Sequence, residues 1–204
     1  MINPWLEISH SDYENHMSDV GQAQVLNELT GFYLDKYKPL NFALLGCSTG
    51  NGLEHVRPET KNVYAIDINP EYLKIAKERF DAKIYNLETI NVDIQKADLP
   101  FANVDLVFAG LILEYVEPKH VLPKIINALS KKGVLVIVIQ QNKQTTFVTK
   151  TKYKSLEKLS FVSKEVNEAE IDKVVKPMNV KCVSRKEIEL TESKSFIVLE
   201  YMLL

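Results

Sequence analysis

Residues 42–56 read FALLGCSTGNGLEHV: an unbroken apolar run stops at Gly46, a small polar turn follows, and a helical pattern then resumes. Such a run marks a strand buried on both faces, as in a parallel sheet. Gly50 and Gly52 carry no Cβ, so another molecule can approach the backbone of the turn closely. The next apolar run, VYAID at 63–67, closes on Asp67, which lies 21 positions beyond Gly46. That spacing is near the ~20 expected between a phosphate- or cofactor-cradling turn and a carboxylate that holds a ribose. Strand, glycine turn, strand and acid, in that order, place a ligand over the carboxyl ends of the strands in an α/β sheet.

The flanking sequence supports such a sheet. Upstream, where residues 1–41 read mainly as helix, Val25, Leu26, Leu29, Phe32 and Tyr33 recur at helical spacing until Lys38-Pro39 ends the pattern. Downstream, Asn69-Pro70-Glu71 offers an N-cap and a proline at the first helical position, and Tyr72, Ile75, Ala76 and Phe80 follow on one face. Strands are expected at 87–94, 104–109 and 133–140, with a helix over 118–129. This alternation predicts a parallel sheet covered by helices on both faces. Residues 180–190 and 196–204 read as two more strands, joined by the polar turn 191–194, TESK. That link is too short for a parallel crossover, so the pair is expected to be antiparallel.

With 204 residues, 46% hydrophobic and 25% charged, the chain can bury one full core and is too short for two independent domains. Its formal net charge of −2 provides no field that draws a polyanion. Cys47 and Cys182 fall in different expected elements without C-x-x-C spacing, which argues against a disulfide framework or zinc site and suits a reducing cytoplasm. No recognised metal-ligand spacing joins His10, Asp12 and His16, so no metal is expected. The first ten residues lack a basic region followed by an apolar one, and the longest apolar run, 134–139, is too short to span a bilayer. No membrane association is expected.

Two ligand chemistries fit the turn poorly. A dinucleotide fingerprint counted from Gly46 needs glycines where Ser48 and Asn51 stand. Gly46-Cys47-Ser48-Thr49-Gly50 also spells the G-x-S-x-G elbow of serine hydrolases. That arrangement needs several strands upstream and an acid, then a histidine, downstream. The region upstream reads as helix, and only His55 and His120 follow.

The turn resembles motif I of the class I S-adenosylmethionine-dependent methyltransferases, which runs acid-x-G-x-G-x-G. Gly46 and Gly50 match its first and third glycines, Ser48 stands in for the middle one, and Leu44 replaces the acid that in this family helps to hold the amino group of the methionine moiety. The resemblance extends over roughly 42–204. Asp67 matches the acid that takes both ribose hydroxyls, with Ile68 beside it. Asp93, in NVDI, matches the acid that faces the adenine amino group, with Ile94 beside the ring. The stretch 97–116, ADLPFANVDLVFAGLILEYV, follows the family's fourth-strand region, with Gly110 and Leu111 at the end of that strand.

The resemblance implies a doubly wound, seven-stranded, mostly parallel sheet with helices on both faces. Its last strand inserts antiparallel between the fifth and sixth. One domain, 1–204, is expected, with an N-terminal helical lid over 1–40 and a Rossmann-like core over 41–204. The implied cofactor is S-adenosylmethionine, held by Gly46, Cys47, Ser48 and Gly50 of the turn, by Asp67, Ile68, Asp93 and Ile94, and by Gly110 and Leu111. The polar, aromatic segment 8–16, ISHSDYENH, falls in the lid, where Tyr13 or His16 would supply the contact that Leu44 lacks. Glu114 and Tyr115 occupy a substrate-facing segment of the family and, with His16, are the catalytic candidates; a solvated or helix-capping Glu114 is the ordinary alternative.

The expected acceptor is a small molecule. Two other readings remain open: a methyltransferase-like binding or regulatory subunit, suggested by Leu44 and Ser48, and an RNA methyltransferase. The second rests on Lys143, Lys150, Lys152, Lys154, Lys158 and Lys164, which Phe147, Tyr153 and Phe161 interleave. A solvated, mobile face is the ordinary explanation of that strip.

Overall fold

Strands β1 (Asn41–Leu45), β2 (Asn62–Asp67), β3 (Leu87–Asn91), β4 (Val104–Gly110), β5 (Leu129–Asn142), β6 (Val180–Thr191) and β7 (Lys194–Leu203) form one sheet in the order β3-β2-β1-β4-β5-β7-β6. The structure is a computed structural model that describes residues 3–143 and 152–204. The first five strands pair in parallel, and β7 runs antiparallel to both neighbours, β5 and β6. The expected fold class and C-terminal hairpin are therefore present. The strand boundaries shift: β3 stops at Asn91 rather than 94, and β5 starts at Leu129 rather than 133.

Alternation along the buried strands divides the core in two. Phe42 and Leu44 of β1 and Val134, Val136 and Val138 of β5 face helices α2 (Gln22–Tyr37) and α3 (Pro70–Phe80). Ala43 and Leu45, with Leu135, Ile137 and Ile139, face α4 (Pro118–Ala128) and α5 (Glu168–Val175). Helix α3 begins as its sequence predicts: Asn69 Oδ1 accepts from the Glu71 N–H at 2.9 Å, and Pro70 takes the first helical position. Helix α2 is tied to the hairpin by Lys36, whose Nζ lies 2.8 Å from both oxygens of the buried Glu200 on β7. Phe32, expected on the inner face of α2, is instead exposed, with the Lys186 ammonium 4.6 Å from its ring centroid.

The helix expected directly after the glycine turn is absent. Leu53–His55 forms a single 3-10 turn. Gly52 at φ +97° ends the turn in a left-handed conformation, and Pro58 disfavours helical geometry at Arg57. Helix α2 covers this face instead, so closely that a Cβ on Gly31 would lie 3.0 Å from the His55 ring. Asn27 of α2 donates to Asn51 at 2.9 Å and to Glu54 at 2.7 Å, fastening the shortened crossover.

A Cβ on Gly52 would meet the Thr30 Cβ at 2.7 Å as well as forcing an L residue to φ +97°. Gly52→Ala is expected to lower stability by about 1–3 kcal/mol. Urea denaturation checks this, and an unchanged midpoint would mean that the contact of the turn with α2 is slack.

Candidate functional site

The glycine turn is built by its backbone. The Cys47 N–H donates to the Ile66 carbonyl at 2.9 Å, and the Gly50 N–H to the Cys47 carbonyl at 2.8 Å, which leaves Ser48 at φ +50°. A serine in the left-handed region is uncommon, and here it has a specific partner. Its N–H donates to Asp67 Oδ2 at 2.8 Å, while the Asn69 N–H donates to Oδ1 at 2.8 Å. Asp67 thus ties the end of β1 to the start of α3, and a carboxylate, with about four acceptor sites, keeps capacity for a further donor from the cleft.

A cleft of about 360 Å³ opens over these strand ends. It brings together Gly46, Ser48, Asp67 and Ile68 with Asp93, Ile94, Gly110 and Leu111, and Tyr13 and Tyr115 also line it. Leu111 adopts φ +53°, a strained setting for a leucine at the mouth of a cleft. Asp93 is partly engaged already, by the Gln95 N–H at 3.0 Å and the Lys96 ammonium at 2.9 Å. Cys47 and Gly50 lie elsewhere. They line a second cavity of about 290 Å³, which shares Tyr13, Gly46, Ser48 and Gly110 with the first. His16 lines a third, of about 50 Å³, with Trp5, Tyr13, Gln22, Tyr115 and Gln140. Among the described residues, no group of three or more His, Cys, Asp or Glu side chains is placed to hold a metal.

Of residues 1–40, only the stretch before α2 reaches over the cleft; α2 itself belongs to the cover of the sheet. That stretch comprises the 3-10 turn Pro4–Glu7 and α1 (His10–Asp19). It is fastened at several points. Asn69 Nδ2 donates to the Trp5 carbonyl at 2.9 Å, the Tyr72 hydroxyl to the Ile8 carbonyl at 3.0 Å, and Arg79 to Glu14 at 2.5 Å. Lys158 pairs with Glu7 at 2.5 Å and Lys152 with Asp19 at 3.1 Å, while Lys164 pairs with Glu117 at 2.8 Å. Three lysines of the described part of the strip therefore pair with acids, and Leu156 and Leu159 bury themselves beside Ile8. Lys150 and Phe147 lie outside the described residues.

The electrostatics single out three groups. Burial pushes the Asp67 carboxyl up to about 6, against the lowering effect of the Asn69, Ser48 and Ile68 N–H groups. Burial likewise lifts Glu114 to about 7. His16 is lowered, by burial first and then by Lys194, with Asp19 opposing, so it favours its neutral form. Glu114 lines none of the three cavities and is neither solvated nor a helix cap. It is fully buried, with Oε1 accepting from the Gln140 N–H at 2.8 Å and Oε2 without a hydrogen-bond partner. The Ser48 hydroxyl also lacks a hydrogen bond of good geometry. Neither downstream histidine reaches it, since His55 bonds Asn27 and His120 bonds Gln95, so a hydrolase elbow is not assembled.

Sequence reasoning missed Trp5, Glu14, Arg79, Gln22 and Gln140. Trp5 is the one tryptophan of the chain and sits in a segment already marked as lid, which was a usable signal. Arg79 and Gln140 carry no local signal, because tertiary packing alone brings them to the site.

Residues 44–137 match the family model described as a methyltransferase domain. A malonyl-[acyl-carrier protein] O-methyltransferase of Ilyobacter polytropus is 26% identical over 138 residues, which are 67% of this chain and 52% of that protein. The chain thus spans about half the length of the curated relative it matches. Among solved structures, N-methyltransferase NodS from Bradyrhizobium japonicum WM9, in complex with S-adenosyl-L-homocysteine, superposes with a TM-score of 0.65 at 16% identity, covering 89% of this chain and 87% of that one. Magnesium protoporphyrin IX methyltransferase from Synechocystis PCC 6803, with bound S-adenosylhomocysteine, gives 0.66 at 15% identity, with 91% and 84% covered. These likenesses are to the fold.

The buried Glu114 generates a pH prediction. Its folded pKa of about 7 lies above the ordinary 4.5, so the folded state holds the proton more tightly and its contribution to stability is lost as pH rises from about 4.5 to about 7. Glu114→Gln keeps an acceptor for Gln140. Relative to the wild type it should gain up to roughly 2–3 kcal/mol between pH 4.5 and 7.5 in urea titrations. Parallel pH profiles for the two proteins would place the Glu114 charge in water.

Proposed function

Because residues 44–137 match a methyltransferase domain and the fold is that of class I methyltransferases, we propose that the chain binds S-adenosylmethionine across the ends of β1, β2 and β4 and transfers the methyl group to a small molecule. The observation that carries this reading is the half-buried Asp67. Two of its acceptor sites are fixed by Ser48 and Asn69, and it lines a cleft that ends at Asp93 and Ile94. Its remaining acceptor capacity suits the hydroxyls of a ribose. Ile68 and Ile94 offer apolar surface to the adenine, with Asp93 as acceptor for its amino group. The sulfonium would then lie near Gly46, Gly110 and Leu111.

The bound sulfonium supplies an activated methyl group. The protein must align an acceptor, exclude water and, where the acceptor loses a proton, take it up. The small cavity under the lid suits the reacting end of an acceptor. Its walls are the aromatic Trp5, Tyr13 and Tyr115, its polar groups are Gln22 and Gln140, and a neutral His16 offers a base. None of the described helices is long and apolar enough to cross a membrane, and the free Cys47 and Cys182 agree with a reducing, cytoplasmic setting.

A second reading has its own support: a subunit that uses the fold for binding or regulation. Leu44 is buried in the apolar core where the family places an acid, and the helix after the turn is reduced to a single 3-10 turn. Calorimetry with S-adenosylmethionine and S-adenosylhomocysteine separates the two. Failure of both ligands to bind would favour the subunit, and binding of NAD instead would overturn both readings.

Asp67→Ala should weaken S-adenosylhomocysteine binding by about 1.5–3 kcal/mol. The wild-type affinity should also depend on pH. Asp67 accepts from both hydroxyls only when ionised, so with a free-protein pKa of about 6 the affinity is level above that pH and declines as pH falls through it. An Asp67→Ala protein with wild-type affinity would remove the ribose from this carboxylate.

A further inference from the structure

We propose that the Glu14–Arg79 pair, which joins the lid to α3, holds the amino-acid end of the cofactor in place of the acid missing at Leu44. This inference rests on the cofactor reading above and deepens it.

The cleft that suits adenosine adjoins the 290 Å³ cavity, the two sharing Tyr13, Gly46, Ser48 and Gly110 as walls, so a ligand seated on Asp67 and extended past Gly46 is directed toward that second space. Leu44 lines the second space and contributes only hydrocarbon. An amino acid carries an ammonium and a carboxylate, and both need partners away from bulk water. The cavity has three charged side chains among its described residues: Glu14, Glu54 and Arg79. Glu54 is held to α2 and to its own turn, accepting from the Asn27 amide at 2.7 Å and the Gly52 N–H at 2.8 Å, and does not bridge the lid to α3.

Glu14 and Arg79 remain, and they are matched to a zwitterion. They pair with each other at 2.5 and 3.3 Å, and the Thr49 hydroxyl also donates to Glu14. Burial alone would raise the Glu14 carboxyl, but the Arg79 and Thr49 hydrogen bonds outweigh it and hold the group below the usual carboxylate range, so it stays ionised. An entering ammonium can take Glu14 and an entering carboxylate Arg79, each ion exchanging one opposite charge for another at the partly exposed rim of the cavity. An independent observation points to a ligand here: the Ser48 hydroxyl, more than nine-tenths buried between the two cavities, has only the Tyr13 hydroxyl beside it and no hydrogen bond of good geometry. The lid supplies Glu14, so it contributes to the choice between adenosyl compounds with and without an amino acid.

Titration calorimetry with S-adenosylhomocysteine and with 5′-methylthioadenosine, the same nucleoside thioether without the amino acid, tests the assignment. The full-length wild type should prefer S-adenosylhomocysteine at least tenfold. Glu14→Gln and Arg79→Gln should each erase most of that preference while leaving 5′-methylthioadenosine affinity within about twofold, and Thr49→Val should have a smaller effect in the same direction. Retained 5′-methylthioadenosine binding also reports that each variant is folded. A wild type that binds the two ligands equally, or variants that lose both ligands in parallel or neither, would overturn the assignment while the cofactor reading stands. A wild type that binds neither ligand would overturn both.

Discussion

The carboxylate of Asp67 is the joint on which the site depends. It accepts the Ser48 N–H from the turn after β1 and the Asn69 N–H from the start of α3, so two adjacent strand ends and the helix between β2 and β3 share one anion. The arrangement is demanding. The group sits where burial raises its pKa to about 6, and only the surrounding N–H donors restrain that shift. A carboxylate held this way costs folding free energy at neutral pH, and a cost of that kind beside a cleft is characteristic of functional sites.

Those parts of the fold governed by local patterns were legible in the sequence. The double-sided apolar runs gave β1 and β2, the Asn69-Pro70 cap gave α3, and the short polar link between the last two strands gave their antiparallel pairing. Asp67 and the neighbours that share its cleft were also reachable, because they lie at strand ends where spacing is informative. What failed is equally physical. The helix expected after the turn is stopped by Gly52 and disfavoured before Pro58, two breakers outweighed in the reading by the apolar periodicity around them. Phe32 matched the helical stripe, yet it falls at the margin of the buried face, where Lys186 of β6 covers its ring.

Glu114 shows a different kind of illegibility. Its position after β4 suggested exposure or capping, whereas the chain turns it into the core, where Gln140 on β5 donates to it at 2.8 Å. Gln140 in turn accepts from Gln22 of α2 at 2.5 Å, so a chain of polar groups runs from the buried acid to the wall of the cavity that also contains His16. Each partner comes from a distant part of the sequence, 118 positions apart for the two glutamines. No local pattern encodes such a network, and its cost when incomplete is high. The unpartnered Oε2 of Glu114 is tolerable mainly because a raised pKa lets the group become neutral.

The shortened crossover and the missing acid have a common consequence. Beside the single 3-10 turn, α2 packs closely, Gly31 against His55 and Thr30 against Gly52, and a cavity lies between the turn, α1, α2 and α3. Leu44 and Phe108 line its floor as members of the apolar core, so the core cannot supply charge there. Charge enters from the rim, from Glu14 on α1 and Arg79 near the end of α3, and each lies partly in solvent, where an ion is cheap to keep. The segment that carries Glu14 is held by contacts to Asn69, the N-cap of α3, and to Tyr72 and Arg79 within it, so the cover of the cleft and the Asp67 carboxylate rest on the same element.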